Sequence, residues 1–399
     1  MVRAAVRSRS HQQAAEQLAD DFEFEFDPKS LERACDLIGG ERVAERDAAA
    51  AVFADLPLVE REQAPNPAAA PDAVAVSVDG GRIQMRPDAL PAADDGKTLW
   101  RESQQADLCT MWTAPQPHAA DPFPQPPPKL LQLASAGALV AEFKRVKQPE
   151  PRPRKPKEQS QAPPVPPRLK KAPPPHPDKP RRLARAVVAT RLSSHEQFAL
   201  LVAAAAHARN FFGARLKAFL GDGAAGNWTI HAKHFADFVA ILDFVHALAY
   251  LYELCTAGRP LDAATADWPR WLTAMWQGRI VELLPELRAR VAALGAAPAD
   301  APASDPRQVA ARAAGYLERH AAKMRYDEYR RQGLPIGSGW IESTVKQVGQ
   351  RVKGSEKFWS GSGAEAMLQL RADHLGDPAT LENFFARRTR RLQAGPLPA

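Results

Sequence analysis

The sequence predicts an α/β fold that is interrupted, in chain order, by a proline-rich tract and by an all-helical block. Three observations predict it. Short β-branched runs such as AVAVSV and ARAVVAT alternate with Ala- and Leu-rich stretches of helical period. Residues 115–182 hold a dense run of proline, lysine and arginine, PEPRPRKPKEQSQAPPVPPRLKKAPPPHPDKPRR. From about 255 to 330 the text is rich in Trp, Leu, Arg and Ala and reads as helix throughout.

Composition bounds the answer. A chain of 399 residues, 45% hydrophobic, can bury a sizeable core. The net charge of +7 favours a polyanionic partner. Cys35, Cys109 and Cys255 are scattered and form no CxxC, so neither a zinc site nor a disulfide framework is indicated, and a reducing compartment fits. No apolar run is long enough to span a bilayer and the basic N-terminus lacks the apolar core of a signal peptide, so a soluble intracellular protein without membrane partners is expected.

The elements follow in order. Residues 1–64 read as a small helical segment. Asp27 is an N-cap with Pro28 at the first helical position, and Leu31, Ala34, Cys35 and Ile38 repeat at helical spacing. Two helices joined by a short connection suit a helix-turn-helix, and equally a plain helical hairpin. PNPAAAPDA is a linker. Residues 74–114 open the α/β domain: Val74, Val76 and Val78 alternate, Asp79 sits at the strand's end, and RESQQADLCTMW is a second strand. Residues 115–182 are expected to be an extended, solvated linker. Order returns over 183–254 with a strand, an Ala-rich helix, a strand ending in Asp222 and a glycine turn, then a short strand running into a helix. The helical insertion covers 255–330. Residues 331–399 supply a closing helix and tail.

That order matches an RNase H-like domain with an all-helical insertion, preceded by a helix-turn-helix-like segment. In such a fold the first and fourth strands are neighbours, so Asp79 and Asp222 would stand side by side, joined by Glu342 from the closing helix. Three converging carboxylates suit two hard divalent cations, Mg²⁺ or Mn²⁺. Blander readings stand beside this one. An Asp before Gly is ordinarily a turn residue, and both Asp79 and Asp222 precede glycine. Glu342 and Lys346 are four apart and also read as an exposed ion pair. On the closing helix Ile341, Val345, Val348 and Val352 make an apolar stripe, with Glu342, Lys346, Lys353 and Lys357 alongside. Lys346, Arg351, Lys353 and Lys357 are the candidate phosphate contacts, with a solvated basic face as the alternative. Trp340 and Trp359 are candidates for base stacking or for core packing. His231 and His234 read as surface residues and not as ligands.

GLPIGSGWIES, KQVGQRVKGSEKFW and GAEAMLQLRADHL, in that order, resemble the C-terminal signature of bacterial insertion-sequence transposases of the DDE type, in the Kra-type group related to the Mutator-like and UPF-type enzymes. FLGDGAAGNWTI, ILDFVHALAYLY and VSVDGGRIQMR resemble that group's earlier blocks. The resemblance covers most of residues 74–110 and 183–390. It implies a metal-dependent transposase with its carboxylates at Asp79, Asp222 and Glu342, and an Asp-x-x-His pair at Asp243 and His246 in a supporting role, where Asp243 equally reads as a helix cap. It also implies DNA partners (terminal inverted repeats and target DNA), a homo-oligomer assembled on DNA, and a nucleoid-associated place in the bacterial cytoplasm. The chain starts closer to its helical segment than such relatives often do, so either a misassigned start or a truncated copy is expected. An RNase H-like nuclease that does not join strands, and a non-catalytic DNA-binding derivative, are the rival readings.

Overall fold

The computed structural model describes residues 1–89, 99–115, 120–147, 179–191, 194–354, 357–376 and 379–394. Most of the proline-rich tract, 148–178, lies outside the described residues. The chain divides into two compact units, one built from Met1–Thr113, Pro180–Asp243 and Leu334–Ala399, the other from Ala114–Lys179 and Phe244–Gly333.

In chain order the strands are β1 (Ala73–Gln84), β2 (Trp100–Trp112), β3 (Arg181–Thr190), β4 (Leu216–Gly221) and β5 (Val239–Leu242). The principal helices are α1 (Val2–Arg7), α2 (His11–Phe22), α3 (Pro28–Asp55), α4 (Leu58–Arg61), α5 (Pro128–Leu131), α6 (Leu133–Lys147), α7 (His195–His207), α8 (Ala225–His234), α9 (Phe244–Thr256), α10 (Leu261–Trp276), α11 (Ile280–Leu294), α12 (Pro306–His320), α13 (Tyr326–Arg331), α14 (Gly339–Val352), α15 (Gly361–Leu375) and α16 (Ala379–Ala394). Among the described residues no helix is long and apolar enough to cross a membrane.

The first unit is a mixed α/β assembly around a five-stranded sheet of order β3-β2-β1-β4-β5. β1, β2 and β3 form an antiparallel meander, whereas β4 and β5 run parallel to β1. Alternation along β1 sends Val74, Val76 and Val78 to one face. There they meet Ala106 and Leu108 of β2 and Phe198, Leu201 and Val202 of α7 in a single apolar core. The opposite face of β1 and β2 is polar where α14 crosses it: Ser77 pairs with Asp107 and Asp79 with Gln105. Beyond that strip Ile83 and Met85 join Val348 and Val352 of α14 and Met367, Leu368 and Leu370 of α15 in a second core.

Three sequence expectations change here. β1 does not end at Asp79 but continues to Gln84. Neither Gly80 nor Gly81 has a positive φ, and both stay paired with β2. A Cβ at Gly81 would approach the Gln105 amide nitrogen to 2.8 Å and Ser103 Oγ to 2.9 Å, so this glycine serves close packing and not a turn. The stretch expected to be linker contains α5 and α6, because Leu133, Ala136 and Val140 repeat at helical spacing and are buried. The flanking prolines conceal that repeat. Third, the N-terminal helices do not form a separate segment: α3 is a 28-residue helix that begins at the Asp27 cap and packs along α15 and α7.

α1 is tied down by cations from the far end of the chain. Arg351 Nε donates to Ala5 O at 3.1 Å, Arg371 Nη1 to Val6 O at 2.7 Å, and Lys357 Nζ to Arg9 O. These groups meet carbonyls at and beyond the helix C-terminus, where positive charge is favoured. Val2, Ala5 and Val6 are buried in the second core.

The second unit is helical in its described residues. α9 packs on α12 and α10, and α12 on α11. Its core holds Trp268 and Trp271, Tyr250 stacks on Tyr316 at 3.7 Å, and Arg330 pairs with Asp121 while lying over the Trp276 ring.

Two histidines in the first unit are held in their neutral form. Burial, reinforced at His11 by Arg351 and at His234 by Lys233, lowers each from 6.5 to about 4. Among the described residues neither Nε2 atom has a hydrogen-bond partner. Between about pH 6.5 and 4 the unfolded chain therefore binds protons that the folded chain refuses. Folding stability is present above that window and falls as pH drops through it. His11→Gln is expected to flatten the dependence of the urea midpoint on pH between those values; an unchanged slope would exclude the effect.

Candidate active site

The parallel strands fix the register of the acidic residues. Ser77 of β1, Leu220 of β4 and Ile241 of β5 occupy one level of the sheet. Asp79, Asp222 and Asp243 each lie two residues further along. The three aspartates therefore stand in a row at the edge where β4 and β5 end and β1 runs on paired with β2 alone. In open α/β sheets, that edge is where ligands bind, at the point where strand order reverses. Here the chain passes from β1 to β2 on one side, and β4 lies on the other.

Each carboxylate has a local anchor. Asp79 is half-buried, and its Oδ1 accepts the Gly80 N–H at 2.8 Å. Asp222 closes β4 and starts α8: its Oδ1 accepts from Ala224 N at 3.0 Å and from Asn227 Nδ2 at 2.9 Å. Gly223 at φ 92° makes a true turn, so the turn reading holds for this aspartate's setting and not for that of Asp79. Asp243 is 0% exposed. Its backbone N–H continues the ladder to Gly221 O at 2.9 Å, and its carboxylate accepts the Ser338 N–H. Ser338 is the N-cap of α14, so Asp243 holds the start of the helix that carries Glu342 and complements its dipole. That contact ties Asp243 to α14 in addition to its place directly before α9.

Glu342 lies in the first turn of α14, half-buried, with a carboxylate oxygen within 4.8 Å of one on Asp243. His246 follows Asp243 by three residues, on the first turn of α9 in the second unit. The ring packs edge-on against Phe143. Among the described residues Asp79, Asp222 and Glu342 do not make a three-carboxylate group within that distance; Glu342 is drawn to Asp243 instead. Two carboxylates this close and shielded from water repel unless a cation or proton lies between them.

The expected phosphate contacts divide. Lys346 is exposed. Lys353 is half-buried on the same edge of α14 as Glu342; burial lowers its pKa and the Asp79 carboxylate opposes that shift. Arg351 is a correction to the sequence reading: it is 2% exposed, spent on Ala5 O, and lies over the Trp359 ring. Its helical position turns toward α1, and burial pushes it down to about 10. Lys357 is also structural. It donates to Arg351 O at 3.0 Å and to Arg9 O, and burial lowers it to about 8. Trp359 donates to Val352 O at 2.9 Å, which favours its packing role, and Trp340 lies under Arg182. His231 and His234 are half-buried, not surface residues. His231 Nε2 lies 2.8 Å from Phe238 O within the aromatic cluster behind β4.

The sequence reading passed over a polar strip on β2. Ser103, Gln105 and Asp107 alternate toward α14 and are all buried. The signal was present, since ESQQAD is unusually polar for a central strand.

No protein-family model matches this chain, and no curated protein sequence matches it.

Proposed function

We propose that this chain is a DDE-type DNA transposase, a metal-dependent phosphoryl-transfer enzyme that cuts DNA at the ends of a mobile element and joins them to a target. The observation that carries the reading is the row of Asp79, Asp222 and Asp243 at one level of three adjacent parallel strands, where β4 and β5 end, with Glu342 brought against it by α14. The pairing of β1 with β4 supports an RNase H-like assignment, since it is what sets Asp79 beside Asp222. Oxygen-only carboxylate donors at a half-open sheet edge fit hard divalent cations such as Mg²⁺ or Mn²⁺.

In this reading Asp79, Asp222 and Glu342 would hold a pair of such ions, and Asp243 fixes the helix from which Glu342 projects. When bound, the ions supply Lewis acidity to the attacking and leaving oxygens of an in-line displacement at phosphorus. Lys353 beside Asp79 and the exposed Lys346 set positive charge where a phosphate backbone would run. Water would break one P–O3′ bond and free a 3′-hydroxyl; that oxygen would then bond to a phosphorus of target DNA while the target's own P–O3′ bond breaks and its 3′-oxygen leaves as a hydroxyl. Positioning and charge do the work, so no covalent enzyme intermediate is needed. A homo-oligomer on paired DNA ends belongs to the same proposal.

The test is cleavage and joining of a labelled DNA end taken from the sequence flanking the gene, with Mg²⁺ or Mn²⁺, for wild type and Glu342→Gln. Joined products that vanish in the variant are expected. Cleavage without joining would favour a nuclease, and binding without chemistry in either protein would favour a DNA-binding derivative.

A further inference from the structure

We propose that Thr344 and Asp107 form a buried latch that sets the roll of α14 and so aims Glu342; the inference rests on reading Glu342 as a catalytic carboxylate. Both residues are 0% exposed. Thr344 Oγ1 lies 3.0 Å from Asp107 Oδ2, the charged acceptor for its single proton, and 3.1 Å from Trp340 O one turn back; it accepts from Arg185 Nη1 at 3.1 Å. Arg182 and Arg185 flank the same carboxylate oxygen at 3.7 and 3.9 Å, and Arg185 Nε also donates to Leu375 O. The latch thus ties α14 to β2, β3 and the end of α15.

Helix geometry says what the latch does. With about 100° per residue, Ile341, Val348 and Val352 point into the sheet. Glu342 and Lys353 fall on one edge of that stripe and Thr344 on the other. An apolar stripe resists lifting of the helix but is non-directional. A hydrogen bond at one edge is directional. Asp243 fixes the start of α14 through Ser338. Thr344 then fixes rotation about the axis, so Glu342 cannot swing away from the aspartate row.

The choice of residues points the same way. Burial raises the pKa of the Asp107 carboxyl against the pull of Arg185 and the Thr344 hydroxyl. A buried ion pair of this kind adds little to stability beside well-packed apolar residues. A valine at 344 would fill the same space. The polar pair therefore supplies orientation.

Thr344→Val tests this, with strand cleavage, DNA affinity by anisotropy and binding of Mn²⁺ alone by electron paramagnetic resonance. The expected result is a fall of about 100-fold in turnover at saturating DNA, weaker Mn²⁺ binding, unchanged DNA affinity, and recovery in Thr344→Ser. If Thr344→Val does not fold, Thr344→Ser and Thr344→Cys make the same comparison at equal size, since a thiol is a weak donor; only the serine variant should be active. Wild-type turnover in Thr344→Val, or equal activity of the serine and cysteine variants, overturns the latch while loss of cleavage in Glu342→Gln leaves the wider reading standing. Full cleavage in Glu342→Gln overturns that reading, and the latch with it.

Discussion

Asp222→Asn is expected to lower metal-dependent strand cleavage by at least about 1,000-fold while the protein keeps its fold, and Asp79→Asn should do the same. The two substitutions preserve shape. Asparagine at 222 can still accept the Ala224 N–H, and at 79 the Gly80 N–H, so the turn into α8 and the run of β1 survive. What is lost is one negative charge at the edge where β4 and β5 end beside β1. A site that holds divalent cations through carboxylate oxygens depends on that charge. Asp243→Asn behaves differently. The Asp243 carboxylate caps α14 at Ser338, so this change should reduce thermal stability as well as rate. Measuring cleavage and melting temperature together separates the two roles. If Asp222→Asn cuts at the wild-type rate, the aspartate row is a set of turn and capping residues and the transposase reading loses its structural support.

How much of this was legible in the sequence depended on locality. The alternating valines of β1, the Asp27 cap and the apolar stripe of α14 involve neighbouring residues, and the structure carries all three. The strand-end aspartates were legible as candidates, but their common level was not. That level comes from parallel pairing of β1 with β4 and of β4 with β5, which no short window encodes. Asp243 could be read as a cap, but its contact with Ser338 at the start of α14 could not. The cations were misread for a sharper reason. Arg351 and Lys357 share a stretch of sequence with Lys346, and spacing alone makes them equivalent. What distinguishes Arg351 is a carbonyl 346 residues away in the sequence, on α1.

That long-range tie yields the other large effect. Deleting residues 1–9 is expected to destabilise the first unit by at least about 3–5 kcal/mol. The deletion exposes the apolar surface that Val2, Ala5 and Val6 cover, which on burial grounds alone is worth a few kcal/mol. It also removes the carbonyls that receive Arg351, Arg371 and Lys357. With α1 in place Arg351 and Arg371 are buried; its removal takes one acceptor from each, while Arg371 keeps Gln347 O. The charge component can be isolated. In the deleted chain Arg351→Met replaces an under-satisfied cation with an apolar side chain of similar length, and it should recover part of the lost urea midpoint. In the full-length chain the same substitution breaks a satisfied bond to Ala5 O and should not stabilise. Opposite signs in the two backgrounds would show that α1 acts by accepting from these cations. Equal effects in both would mean that α1 contributes apolar packing alone. The outcome bears on catalysis too, because Arg351 and Lys357 end the helix on which Glu342 begins.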